Sequence, residues 1–156
     1  MDTPDYEAWF RAYADAYTRS LHGDVEVETI RGFFAETVLA LGVDGSLNPA
    51  STADKAFADM LIQMYAFFRS IGTRRMSVDR VEVSSLYDNH DRVRVFYRAE
   101  YEKPDGGAVT IPFDLVYLVQ RRQTGPVIFA FIAGDEMAEY RRHGLVDADG
   151  RPPSPA

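Results

Sequence analysis

Three long runs rich in β-branched and aromatic residues, 93–101, 109–120 and 127–133, dominate the last third of the chain. Only Pro104-Asp105-Gly106-Gly107 and Gln123-Thr124-Gly125-Pro126 separate them. Short turn signals between long apolar runs specify antiparallel neighbours, so this region reads as a meander. Alternation then assigns the faces. In the central run the odd positions are Ile111, Phe113, Leu115, Tyr117 and Val119, and the even ones include Asp114. Burying an ionised carboxylate is costly, so the odd set faces inward. The preceding run agrees, with Val93, Val95, Tyr97, Ala99 and Tyr101 against Arg94, Arg98, Glu100 and Glu102. Val116 and Leu118 leave the even face partly apolar too, and a sheet apolar on both faces wants a cover on both.

The first half of the chain supplies one cover. Thr3-Pro4-Asp5 is a helix start, and Tyr6, Trp9, Phe10, Tyr13 and Tyr17 follow at helical spacing. Gly23-Asp24 stops that helix and opens a shorter one over about 25–35. A brief strand over 37–41 ends at Gly42, Asp44-Gly45 turns, and Asn48-Pro49 opens a loop. Ser51 with Asp54 resembles a capping box. The helix behind it carries Phe57, Leu61, Met64, Phe68 and Ile71 on one face and stops at Gly72. A strand over 76–87 and the turn Asp88-Asn89-His90-Asp91 lead into the meander, and Gly134-Asp135 opens a last short helix. The layout is α+β: a cone-shaped, curved antiparallel sheet wrapped on N-terminal helices. It makes one domain over 1–146. Residues 147–156 are polar and Pro-rich, and read as a flexible C-terminal tail.

Composition narrows the functions open to such a chain. At 156 residues it can bury a real core, and 46% hydrophobic with 13% aromatic residues argues against disorder. A net charge of −7 disfavours nucleic acid. With no cysteine there is no disulfide, zinc–thiolate site or thiol nucleophile, which suits a reducing cytosol. No basic leader precedes an apolar run, and no run is long enough to span a membrane. The expectation is therefore a cytoplasmic protein. His22, His90 and His143 share no metal-ligand spacing, and no glycine-rich phosphate loop is present, so no metal or cofactor is expected.

The order of helix, short helix, short strand, long helix and long-stranded meander resembles the nuclear transport factor 2-like superfamily. That group includes ketosteroid isomerases, SnoaL-type polyketide cyclases and limonene epoxide hydrolases. Gly23-Asp24 followed by Phe33-Phe34-Ala35-Glu36-Thr37-Val38 is similar to the superfamily's "GD" turn and aromatic–Ala–acid stretch before its first strand. The likeness covers about residues 4–143 and implies a cystatin-like α+β roll. In the isomerases a general-base Asp follows the first short strand. Its place falls near Gly42, two residues before Asp44. The isomerases' inward oxyanion-stabilising residue falls at Tyr117, and the Tyr of their first helix falls close to Tyr17. The Arg–Asp–Asp arrangement of the epoxide hydrolases has no counterpart, because Arg98 and Asp114 have outward parity.

These readings converge on a small-molecule-binding protein with an apolar, tyrosine-lined pocket. The expected wall is Trp9, Tyr13, Tyr17, Phe34, Met64, Phe68, Tyr97, Tyr101, Phe113 and Tyr117. The ligand is expected to be small and hydrophobic or aromatic. If the chain is an enzyme, the resemblance implies a ketosteroid isomerase-like or SnoaL-like cyclase acting on a hydrophobic carbonyl compound. Tyr17 and Tyr117 would then be donors and Asp44 the base. The outer apolar residues Val116, Leu118, Phe129 and Phe131 imply a homodimer.

Overall fold

A computed structural model describes residues 2–153. Its elements run α1 (Tyr6–His22), α2 (Val27–Arg31), β1 (Phe34–Gly42), β2 (Leu47–Ser51), α3 (Lys55–Ser70), β3 (Thr73–Tyr87), β4 (His90–Glu102), β5 (Ala108–Arg122), β6 (Gly125–Ala133) and α4 (Glu136–Arg142). The strands form one curved, unclosed sheet in the order β2-β1-β6-β5-β4-β3. All neighbours are antiparallel except β1 and β6. The fold is α+β, as the element order implies.

Most local signals act where expected, and the exceptions have physical causes. α1 is capped by the Asp5 carboxylate, which accepts from the Ala8 amide at 3.1 Å, so Thr3 and Pro4 lie outside the helix. α2 is shorter than the expected 25–35. It ends at Gly32, and the aromatic pair Phe33-Phe34 turns into the sheet instead. The loop expected at Asn48-Pro49 is strand β2, a short edge strand on which a proline is tolerated. Asp54, not Ser51, caps α3 by accepting from the Phe57 amide. Gly72 at φ +83° ends α3, and a Cβ there would stand 2.0 Å from the Glu102 carbonyl oxygen. Only glycine lets α3 turn so tightly onto the end of β4.

The parity argument holds along both central strands. Val93, Val95, Tyr97, Ala99 and Tyr101 are buried on β4, as are Ile111, Tyr117 and Val119 on β5. On the outer face Asp114 pairs with Arg94 at 2.8 Å, and the Arg80 and Arg94 guanidinium groups both lie over the Phe96 ring. β6 departs from simple alternation. Its register with β5 shifts between Leu118 and Val119, leaving Phe129 bulged against His90. That bulge sends Phe131 inward onto Tyr117 and Phe34, not outward with Val116 and Leu118 as expected.

α1 lies along the inner face. The Thr18 hydroxyl donates to the Met76 carbonyl and accepts from the Met76 amide, fixing helix to β3. At its other end, the Tyr6 hydroxyl donates to the buried Asp91 carboxylate at 2.6 Å, and Arg121 completes the ion pair at 3.1 Å. Past α4, Leu145 and Val146 are buried. Residues 147–151 close a turn in which the Asp147 carboxylate accepts from the Asp149 and Arg151 amides. The last three residues of the expected tail lie outside the described residues.

Asp91 is 1% exposed, and its carboxylate is bonded by Arg121 and Tyr6. Asp91→Ala breaks the buried ion pair with Arg121 and should cost about 3–5 kcal/mol of stability. Tyr6→Phe should cost less, about 1.5–3 kcal/mol, because one hydrogen bond to a charged group is lost. Urea unfolding of both variants checks the order and the size.

Candidate functional site

The inner face of β4 and β5, α1, α3 and the start of α4 enclose a cavity of about 300 Å³. Tyr97 and Tyr117 lie at its floor. Val93 and Tyr117, and Tyr97 and Phe113, are cross-strand partners, so the two tyrosines sit diagonally on one face. Their long rings reach across, and the hydroxyls hydrogen-bond at 2.9 Å while Tyr97 stacks on Phe113 at 5.2 Å. Between them the hydroxyls hold two protons, and one is used in the mutual bond. The other remains to be donated to a ligand. Burial pushes both phenols well above their ordinary pKa, so they are neutral donors at physiological pH.

The rest of the wall follows from helical and strand spacing. Tyr13 and Tyr17 are one turn apart on α1, and Met64 and Phe68 one turn apart on α3. Burial raises Tyr13 to about 12 and drives Tyr17 well upward as well. Tyr101, also raised to about 12 by burial, and Tyr140 close the far side. Eight of the ten expected wall residues therefore meet around one space: Tyr13, Tyr17, Met64, Phe68, Tyr97, Tyr101, Phe113 and Tyr117.

Trp9 and Phe34 do not. Trp9 lies toward the start of α1 and packs on Phe10 and Phe33 at 4.8 and 5.0 Å. Phe34 stands behind the wall, between Tyr13, Phe57 and Phe131. Asp44 is not at the cavity either. It is exposed in the β1–β2 turn, where its carboxylate accepts from the Ser46 amide at 2.9 Å. That backbone bond holds its pKa below the ordinary carboxylate value. A turn beside Gly45 is what the local sequence encodes, and the chain does not carry Asp44 inward.

Glu136 is the acid that reaches the cavity. The sequence reads Asp135-Glu136 as capping the last helix, and Asp135 is the cap, accepting from the Ala138 amide at 3.0 Å, with Glu136 in the first turn. What the sequence does not show is that α4 folds back over the cavity mouth. Glu136 keeps access to solvent there, yet the protein crowded around it desolvates its carboxyl and raises its pKa, an effect partly offset by Tyr140. Met76, Ala99, Leu115, Phe131 and Ala133 complete the wall. Inward parity signals Ala99 and Leu115 in the sequence, whereas Phe131 comes inward only through the β6 bulge.

Open grooves of 330–360 Å³ also cross the surface. One involves Arg69, Arg74, Glu102 and Lys103, another Glu36, His90, Gln120 and Arg122. Their charged groups largely pair with each other, as in Arg74–Glu102 and Arg122–Glu36. Among the described residues no cluster of three or more His, Asp or Glu could hold a metal ion, and no helix is long and apolar enough to cross a membrane.

Comparison with known proteins identifies the architecture. A family model described as "NTF2-like protein (DUF6841)" matches residues 4–136. An NTF2-like protein with a cystatin-like fold from Novosphingobium aromaticivorans superposes with a TM-score of 0.65 at 10% identity, covering 92% of this chain and 87% of that one. An NTF-2 like protein of unknown function from Shewanella oneidensis gives 0.61 at 15% identity, with 84% and 97% covered. A ketosteroid isomerase-like protein from Erwinia carotovora atroseptica gives 0.56 at 15% identity, with 82% and 91% covered. At these identities the likeness is one of fold. No curated relative matches the chain.

The raised Glu136 carboxyl has a consequence for stability. Its folded-state pKa lies above the ordinary 4.5, so the native state favours the protonated form. That contribution is fully present below the unfolded-state pKa and is lost as pH rises through the folded one. The groups around it, Tyr13, Tyr17, Tyr101, Tyr117 and Tyr140, stay neutral through that window because each phenol is itself raised. Glu136→Gln should therefore be more stable than wild type at pH 7, with the gap closing toward pH ~4. Melting temperatures of both proteins across that range measure it. Parallel profiles would show that the carboxyl is not perturbed.

Proposed function

This chain belongs to the NTF2-like family DUF6841, and from that premise we propose that it binds a small, largely apolar or aromatic molecule in the cavity between α1, α3, α4 and the sheet. The observation that carries the reading is the floor of the cavity. Two buried phenols hydrogen-bond to each other and keep one proton to donate, surrounded by aromatic and aliphatic side chains. A mainly aromatic and aliphatic space of this size, with the Tyr97–Tyr117 pair at its floor, suits a small ligand whose acceptor meets the tyrosines.

A second reading is a ketosteroid isomerase-like or SnoaL-like enzyme acting on a hydrophobic carbonyl compound. Glu136 favours it, as a desolvated carboxyl facing the same space as the Tyr17 and Tyr117 hydroxyls. In that case Glu136 takes the base role for which the sequence offered Asp44, and the phenols stabilise the enolate oxygen. Loss of deuterium from the carbon beside a bound ketone, abolished in Glu136→Gln, is its signature.

We also propose that two copies associate through the outer sheet face. Leu41, Leu47, Val116 and Ile132 are cross-strand partners that form an apolar band across β2, β1, β6 and β5, and Leu47 and Ile132 are 66% and 42% exposed. Beside the band, Arg94, Arg98, Asp79 and Asp114 carry both signs of charge, so a copy related by two-fold symmetry meets no like-charged wall. Light scattering at micromolar concentration should give twice the chain mass, and a monomer mass counts against the proposal.

The binding reading is tested by a thermal-shift screen of small aromatic and alicyclic molecules. Compounds that raise the melting temperature of wild type should bind Tyr117→Phe more weakly by about 0.5–1.5 kcal/mol, while the unliganded variant keeps the fold. Ligands bound equally by both proteins would remove Tyr117 from the site, and a screen without a single shift would remove the cavity.

A further inference from the structure

We infer that the preferred ligand is an organic cation: an apolar or aromatic body carrying an ammonium group, which sits at the cavity mouth beside Glu136 while the body fills the interior. This rests on the reading of the cavity as a ligand site and names the ligand class. The charge inventory of the wall is the starting point. Among the residues that line the cavity there is no Lys, Arg or His, and Glu136 is the one acid. The remaining polar groups are phenols, held neutral by burial. A carboxylate facing such a wall has no cation to answer it from within the cavity, and a ligand can supply one.

The wall itself favours the same charge. Tyr13, Tyr17, Tyr101, Phe113 and Tyr140 line the same space as Glu136. Aromatic faces carry partial negative charge and attract a cation, most strongly where water is excluded. Rings and carboxylate together suit a quaternary or tertiary ammonium, whose diffuse charge is weakly hydrated and whose methyl groups pack as apolar surface. Glu139 stands at the rim of the adjoining cleft, but it already pairs with Arg142 at 2.6 Å and with His143 at 3.6 Å. It is already engaged there and does not compete for the ligand. A neutral ketone would satisfy the tyrosine pair at the floor and leave the Glu136 carboxylate with the Tyr140 hydroxyl but no cation. An anion would meet that carboxylate with no compensating charge in the wall.

The test uses the full chain and an isosteric pair of probes, benzyltrimethylammonium and neopentylbenzene, which differ in shape only by nitrogen against carbon. Binding is read from the methyl resonances of Met64, Met76 and Ala99 in the cavity wall, titrated at neutral pH. The expected result is that the cation binds wild type at least about fivefold more tightly than its neutral twin. In Glu136→Gln that preference should disappear while the neutral probe binds as before. If the neutral probe binds wild type as well as or better than the cation, the cation inference is overturned and the apolar-ligand reading stands. A preference that survives in Glu136→Gln also overturns it, because the carboxylate is then not the recognising group. If neither probe moves the cavity methyls, the cation inference and the reading beneath it fall together.

Discussion

An ionised Asp114 placed among Phe113, Leu115 and Tyr117 would cost several kcal/mol, and the pleat of β5 avoids that cost by turning the carboxylate out to Arg94. Strand geometry then leaves no freedom. With Asp114 outside, Phe113, Leu115 and Tyr117 are inside, and antiparallel register with β4 brings Tyr97 and Ala99 to the same side. A slip of one residue would exchange the arginine-rich face for the tyrosine-bearing one. The position of the phenol pair, and hence the floor of the cavity, descends from one surface ion pair and the alternation around it. The pair itself is exposed and worth little as a bond. Its importance lies in the arrangement it excludes.

What stands above that floor depends on helix placement, and two buried features decide it. Tyr6, Asp91 and Arg121 tie the start of α1 to the β3–β4 turn region, and Thr18 ties its later turns to β3. Held at both ends, α1 aims Tyr13 and Tyr17 into the space between helix and sheet. Gly72 then lets α3 return against the end of β4 without a side chain in the way. The two helices are spaced by polar contacts and one backbone approach, while the rings between them are left to line a cavity.

Fold class, strand parity and eight of the ten wall residues could be read from the sequence, because each follows from a local rule: period two in strands, period near four in helices, and the cost of burying charge. The misses share a cause. Trp9 has the same stripe as Tyr13 and Tyr17, but it lies a turn nearer the Tyr6–Asp91 end, beyond the cavity. Phe34 reads as the end of the second helix but begins β1 instead, and it sits behind Phe131, which a bulge at Phe129 rotated inward. Glu136 looks like any first-turn helix acid until α4 is seen to cross the mouth, and Asp44 resembles a general base only by position in the chain. Bulges and the angle at which a final helix docks are set by three-dimensional packing, and no periodicity encodes them. The buried Asp91 is hidden for the same reason. In the chain it is the last residue of a polar turn, and only its partners, 85 and 30 positions away, distinguish it.

The parallel pairing of β1 with β6 joins residues 34–42 to residues 125–133. Such a contact closes a loop of most of the chain before it returns any stabilisation, and contacts of that separation form late. On a ribosome the consequence is sharper. β1 and β2 emerge early, carrying an apolar face whose only sheet neighbour has not yet been translated. β3, β4 and β5 can zip together hairpin by hairpin as they appear, yet the N-terminal hairpin must wait for the last strand. During that interval it is an unprotected edge, the part of the nascent chain a chaperone would have most reason to hold.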